Sequence, residues 1–250
     1  MRAGAGNKER KMSETIRLDK YLADMGCGTR SEAKQMIRKG QVEVNGEKAK
    51  KPELKITTGQ DRVCVAGKEI CYEKYRYLLL HKPAGYVSAT TDNRDQTVLE
   101  LLPEGLRKDL FPVGRLDKDT EGLLLLTNDG DLAHRLLSPK KHVDKTYYAR
   151  IDGKVVAEDQ EAFLQGVDIG DETKTLPAEL EILESADVSE ILLTIHEGRF
   201  HQVKRMFQAR GKQVIYLKRM TMGPLVLGED LPKGVYRELR EDERKALGIH

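Results

Sequence analysis

Residues 114–130 read GRLDKDTEGLLLLTNDG. The four leucines at 123–126 are an apolar run too short for a helix, and turn formers bound it, so they read as a strand filling a sheet core. Gly114 and Gly122 permit turns before that strand, and Asn128, Asp129 and Gly130 make the next one. Packing accounts for the leucines and glycines. It does not account for Arg115 and Asp117, which flank Leu116 just ahead of the strand. Exposed charges are common in loops, but a loop set by a rigid sheet is also where catalytic groups concentrate.

Working outward, residues 77–80 (YLLL) read as a second buried strand, with further strands at 122–127, 146–151, 190–196 and 213–217. Helices fall near 132–137, 157–165 and 201–210. Mixed strands and helices at this spacing predict an α+β sheet domain beginning near residue 75. Upstream lies a different unit. Leu18, Tyr21, Leu22 and Met25 stand at i, i+3, i+4 and i+7, one face of a short helix. Gly26 and Gly28 break it, and Thr29 with Glu32 has capping-box spacing for a second helix. Along that helix Ala33, Met36 and Ile37 form an apolar stripe, while Arg30, Lys34 and Arg38 lie on another face, and Gly40 ends it. Val42 and Val44 then lead to the turn dipeptide Asn45-Gly46, and a second hairpin is expected at Ala66-Gly67.

The 250 residues carry a net charge of only +2, yet residues 1–62 hold 15 Lys and Arg against nine Asp and Glu. A basic end on a nearly neutral chain favours a polyanion partner, although such segments also serve as solubilising tails. No apolar run approaches the roughly 20 residues of a membrane span. Residues 1–14 read as a flexible basic leader without a secretory signal. Cys27, Cys64 and Cys71 form no CxxC and suggest neither a disulfide framework nor a zinc site, which fits a reducing cytoplasm.

Residues 17–46, RLDKYLADMGCGTRSEAKQMIRKGQVEVNG, resemble the S4 RNA-binding domain. That resemblance implies a cationic helix face on RNA phosphates, with Arg17, Lys20, Arg30, Lys34 and Arg38 as contacts that position more than they specify. Without the surrounding pattern, a solvated helix face would be the plainer account. The 114–130 segment is similar to the GRLD signature of the RsuA-like pseudouridine synthases. Three further segments appear in the family's order: LHKPAGYVS at 80–88, KTY at 145–147 and EGRFHQVKRMF at 197–207. The combined resemblance spans roughly residues 15–241, and several ordered motifs make coincidence improbable. It divides the chain into a leader at 1–14, an S4-like α/β domain with its connection at 15–74, a mixed, largely antiparallel-sheet synthase domain at 75–241, and a tail at 242–250.

The reaction so implied breaks the C1′ to N1 bond of a uridine, turns the uracil and joins C1′ to C5. A carboxylate serves either by attacking C1′, giving a glycosyl ester, or by assisting a path through a glycal. By resemblance Asp117 is that carboxylate, Tyr147 packs on the target base and can relay a proton, Lys204 pairs with Asp117, and Arg115 belongs to the space vacated by a flipped nucleotide. His81, Lys82, Arg199, His201 and Arg205 are expected as added RNA contacts. No cofactor or metal is required, and the expected partner is ribosomal RNA or an assembly intermediate, met by a monomer. In style the motifs are nearer the family's small-subunit (16S) enzymes than its large-subunit ones. Two other readings compete. A noncatalytic S4-type ribosome-binding or assembly factor would need only the basic module. Asp117, Asp119 and Thr120 also imitate the DxDxT motif of haloacid dehalogenase-like phosphatases, but there the apolar strand precedes the first acid, and here it follows.

Overall fold

The structure is a computed structural model that describes residues 14–138 and 141–249. All but the last residue of the expected leader lies outside the described residues. The described residues divide into two compact units, residues 14–74 with 103–108, and residues 75–102 with 109–138 and 141–249.

In the first unit β1 (Thr15–Arg17) runs directly into α1 (Leu18–Asp24), which buries Leu18, Tyr21 and Leu22 as their spacing predicts. The capping box forms at the start of α2 (Arg30–Arg38): Glu32 N–H donates to Thr29 Oγ1 at 3.3 Å, and Thr29 N–H donates to the Glu32 carboxylate at 2.6 Å. The strands β2 (Val42–Val44) and β3 (Glu47–Lys48) meet across Asn45 and Gly46, whose φ of 53° and 87° suit a tight hairpin. β4 (Lys55–Thr57) pairs with β1, and β5 (Val63–Val65) turns at Ala66-Gly67 into β6 (Lys68–Ile70). The resulting sheet has the order β3-β2-β5-β6. Ile16, Ala33, Ile37, Val42, Ile56 and Val63 close the core over α1. The expected helix-helix-hairpin is thus extended by strands of two or three residues, too short to show a period of their own.

The second unit runs β7 (Tyr77–Lys82), β8 (Phe111–Pro112), β9 (Glu121–Thr127), α3 (Gly130–Leu137), β10 (Lys145–Asp152), α4 (Ala157–Leu164), β11 (Glu179–Glu184), β12 (Val188–Ile195), α5 (Gln202–Ala209), β13 (Gln213–Arg219), β14 (Thr221–Met222), β15 (Leu225–Val226), β16 (Tyr236–Glu238) and α6 (Glu241–Ala246). One mixed sheet, in the order β11-β12-β10-β13-β9-β7-β16, organises it, with β8 against β9. β7 and β9 are buried at every position because alternate leucines enter different cores. Leu78, Leu80, Leu124 and Leu126 join Phe163 of α4 and Phe207 of α5, while Leu79, Leu123 and Leu125 join Leu132 and Leu136 of α3. β12, covered on one face, alternates instead.

The sheet pairs antiparallel except where β13 and β9 run parallel, and those two meet at only two positions, Lys218 opposite Glu121 and Arg219 opposite Gly122. Further along, that edge of β9 is taken by β8. The sheet therefore opens between β13 and β8, and residues 113–120 link β8 to β9 at the opening. Two elements carry no legible period. The glutamates of β11 (ELEILE) mask its alternation, and the α6 sequence EDERKA is nearly all charged. The segment expected as a tail at 242–250 includes most of α6, and Leu247 is buried in the α3 core.

Candidate active site

The 114–120 loop is framed by the LHKPAGYVS segment. Leu116 is buried and clamped twice by Ser88, whose hydroxyl donates to Leu116 O at 2.8 Å and accepts from Leu116 N–H at 3.0 Å. The Lys82 ammonium donates to the carbonyls of Asp117 (3.0 Å), Lys118 (3.3 Å), Thr120 (2.7 Å) and Pro83 (3.1 Å). Gly85 N–H donates to Lys118 O at 2.7 Å. These contacts correct the expectation that His81 and Lys82 bind RNA. Lys82 is fully buried, and His81 is buried with Nδ1 donating to Leu231 O at 2.8 Å. The lysine is a bracket for the loop backbone. Burial pushes its pKa down, to about 8, against the pull of Asp119 and Asp117.

With Leu116 turned inward, Arg115 and Asp117 are left on the open side. Asp117 lines a cavity of about 560 Å³ together with Arg115, Lys145, Tyr147, His201, Lys204 and Arg219. Lys204, on the first turn of α5, brings Nζ to 3.1 Å from the Asp117 carboxylate, the pairing expected of it. It also binds both oxygens of Asp119, at 2.6 and 2.9 Å. Burial disfavours the lysine's charge, but the hydrogen bonds to Asp119 and Asp117 prevail and hold its pKa above the usual value. Asp119 is held low by Lys204 despite its own burial cost. His201 Nε2 stands 3.5 Å from the other Asp117 oxygen.

Tyr147 is buried on β10, opposite Arg219 of β13, and its ring lines the cavity. Tyr148 points to the other face against Tyr216. Arg115 is exposed and pairs with no group among the described residues. Arg199 and Arg205, expected on RNA, are turned to internal work. Arg199 donates to the carbonyls of Thr173 (2.7 Å) and Lys174 (2.8 Å) and to Glu197 (2.9 Å), and Arg205 donates to Ile169 O (2.6 Å) and Phe200 O (3.2 Å). A guanidinium whose donors meet loop carbonyls anchors that loop.

Sequence comparison identifies the two parts of the chain. Residues 76–209 match the RNA pseudouridylate synthase family, and residues 16–68 match the S4 domain. The chain belongs to the RNA pseudouridylate synthase family. The synthase is 48% identical to the Bacillus subtilis RNA pseudouridine synthase YtzG, across 93% of its own length and 98% of that protein's. It is 43% identical to the ribosomal small subunit pseudouridine synthase A of Vibrio cholerae, across 91% and 97%. A crystal structure of a pseudouridylate synthase, 39% identical, superposes with a TM-score of 0.66 over 93% of this chain and 99% of that one.

In the S4 unit of the synthase the expected cations divide. Asp19 is buried, takes Arg17 at 2.9 Å and lies 3.7 Å from Arg30, and Lys20 pairs with Asp24 at 3.0 Å. Lys34 and Arg38 have no acidic partner among the described residues. Sequence reasoning gave no role in the synthase site to Ser88, Asp119, Lys145 or Arg219. Asp119 had one signal, its two-residue spacing from Asp117. Ser88 lies in the loop after β7, inside the LHKPAGYVS motif, while Lys145 and Arg219 sit at strand ends where packing alone explains them.

Proposed function

We propose that the synthase isomerises a specific uridine of ribosomal RNA, in the small subunit, acting as a monomer in the cytoplasm on the RNA or on an assembly intermediate. The observation that carries the reading is the Asp117 carboxylate, held in the cavity 3.1 Å from the Lys204 ammonium and facing a space lined by Tyr147. Asp117 either adds to C1′ as the bond to N1 breaks or stabilises the electron-poor sugar while a glycal forms. In both routes the uracil stays captive, turns, and returns through C5, so that nothing enters or leaves. Lys204 sets a positive charge beside the carboxylate. Tyr147 packs on the uracil and offers a hydroxyl for proton transfer at the sugar. Arg115, without a partner among the described residues, takes the place of the flipped nucleotide or a phosphate. The S4 unit positions the RNA through Lys34 and Arg38, with Arg17, Lys20 and Arg30 offering what donors their ion pairs leave. The name of the Vibrio cholerae relative supports the small subunit as substrate.

The test is mass-spectrometric detection of pseudouridine in small-subunit and large-subunit ribosomal RNA transcripts treated with the parent and with Asp117→Asn. The amide keeps the carboxylate's shape without its charge, so RNA binding is expected to persist while turnover falls by about 10⁴-fold or more. Near-parent turnover would remove Asp117 from the chemistry. Modification of the large-subunit transcript alone would reassign the substrate. RNA binding by a parent that forms no pseudouridine would favour the assembly-factor reading.

A further inference from the structure

Of the four phenylalanines, Phe163 and Phe207 are fully buried and Phe111 is half-buried, but Phe200 is 75% exposed. Single exposed apolar side chains are ordinary on protein surfaces. Phe200 differs in position and in how it is held. It lines the rim of the Asp117 cavity, and its ring stacks on that of His201, with centroids 3.8 Å apart and planes at 19°. His201 in turn reaches to 3.5 Å from Asp117. The stack depends on a left-handed backbone at His201 (φ 47°, ψ 35°), a region that residues other than glycine rarely occupy. Several bonds hold that loop. Arg205 donates to Phe200 O, Arg199 N–H donates to Gln202 Oε1 at 2.9 Å, and the Arg199 guanidinium ties the loop to residues 173 and 174. One face of the phenyl ring is covered by imidazole, and the ring is presented by a rigid frame.

We propose that Phe200, backed by His201, is a stacking platform for an unpaired nucleobase neighbouring the target uridine. The proposal rests on reading the Asp117 cavity as the uridine site, since a base on the rim is then the neighbour of the one inside. A flat aromatic face meets any base by its π surface, which suits single-stranded RNA splayed out for modification. Arg115 on the same rim is an unpaired guanidinium among the described residues, so ring and cation together match the base and phosphate of one nucleotide. An apolar protein partner would leave that cation unmatched. Stacking there also gives Arg199 and Arg205 a purpose in RNA recognition that is indirect, through the loop they brace.

The experiment uses the full chain and two probes, a small-subunit ribosomal RNA transcript and a single-stranded oligouridylate carrying one 2-aminopurine. Phe200→Ala is expected to raise the Kd for the oligonucleotide and the KM for the transcript by about 5- to 150-fold, the usual loss on removing a stacking ring. The rate at saturating RNA falls by less than the affinity, and the 2-aminopurine quenching seen with the parent is lost. Phe200→Tyr restores binding, while Phe200→Leu, similar in bulk without a π face, does not. Unchanged Kd and KM in Phe200→Ala would overturn the platform, as would full rescue by leucine. Dissociation of a self-associated parent by Phe200→Ala at unchanged RNA affinity would overturn it too, making the ring a protein contact. If the parent forms no pseudouridine yet loses RNA affinity with Phe200, the reading of the cavity fails while aromatic RNA binding stands. Pseudouridine formation with a KM indifferent to Phe200 defeats the platform alone.

Discussion

Lys204 serves two carboxylates at once, and the division is unequal: Asp119 holds its ammonium through both oxygens at 2.6 and 2.9 Å, while Asp117 meets it through one at 3.1 Å. The sharing suits a reacting group, because Asp117 gains a nearby positive charge and keeps an oxygen clear of lysine. Lys204→Met removes that charge and leaves Asp117 and Asp119 without the cation they share. The expected loss in saturating rate is about 100-fold or more, the scale of deleting one preorganised electrostatic partner. Asp119→Asn keeps the lysine charged and lets it turn wholly to Asp117, so activity changes only a few-fold. Steady-state kinetics of the two variants, with pseudouridine as the measured product, checks the order. If Asp119→Asn were the more damaging, Asp119 and not Asp117 would be the acid that matters to Lys204. The 117–204 pair was legible only through resemblance, since 87 positions separate the partners in the chain.

Where β9 begins, the element itself depends on an absent side chain. Gly122 has φ 110°, and a Cβ placed there would run into the backbone nitrogen and oxygen of Arg219 on the neighbouring strand. β13 and β9 are in register only here and at the preceding pair, and the bonds from Arg219 Nε to Leu123 O (2.8 Å) and from the Tyr216 hydroxyl to Glu121 (2.6 Å) are side-chain additions to that short contact. Gly122→Ala is therefore expected to destabilise the synthase by about 3 kcal/mol or more, through strain and a broken strand contact. A urea or thermal melt reads the loss. Lys82, at the end of β7, gives a test by pH. Its pKa is about 8 in the folded chain, below its ordinary value of 10.5. Between those values the unfolded chain binds the extra proton, so this group makes stability rise with pH across that window. Lys82→Met removes the effect and leaves loop carbonyls without their donor, at a cost of about 1 to 3 kcal/mol near neutrality. Unfolding curves at several pH values are expected to show a parent-minus-variant difference that grows from pH 8 towards 10.5. A flat difference would mean that the four carbonyls keep Lys82 charged throughout.

Across the whole molecule the proposed reading gives the two units separable work, RNA positioning in the S4 unit and isomerisation in the sheet unit. Because Arg17 and Arg30 flank buried Asp19, replacing Arg30 would disturb folding as well as charge. Lys34 and Arg38 offer the cleaner probe. Changing both to glutamine preserves good helix formers and removes two charges. RNA affinity is expected to fall. The slope of log affinity against log salt flattens by up to about 0.7 to 0.9 per lost phosphate contact. The rate at saturating RNA stays near the parent's because the Asp117 cavity is untouched. Binding titrations over a salt series, paired with saturating turnover, measure both. An unchanged salt slope with a collapsed saturating rate would place α2 in catalysis rather than in RNA binding.

The local elements were readable from sequence because their causes are local. Apolar spacing located α1, α2, β7, β9 and α5, the Thr29 and Glu32 pair marked a helix start, and Asn45-Gly46 marked a hairpin. Ordered motifs carried the family, and with it the expectation for Asp117, Tyr147 and Lys204. Which charges face outward was not readable. Lys82, Arg199 and Arg205 have the composition of RNA contacts, yet tertiary folding brings backbone carbonyls from distant segments to their donors. Arg17 and Arg30 are likewise drawn to Asp19, whereas Arg115 and Phe200 are left presented at the cavity rim. A cation's partner depends on what the fold places within about 3 Å of it, and a local pattern of residues does not contain that distance.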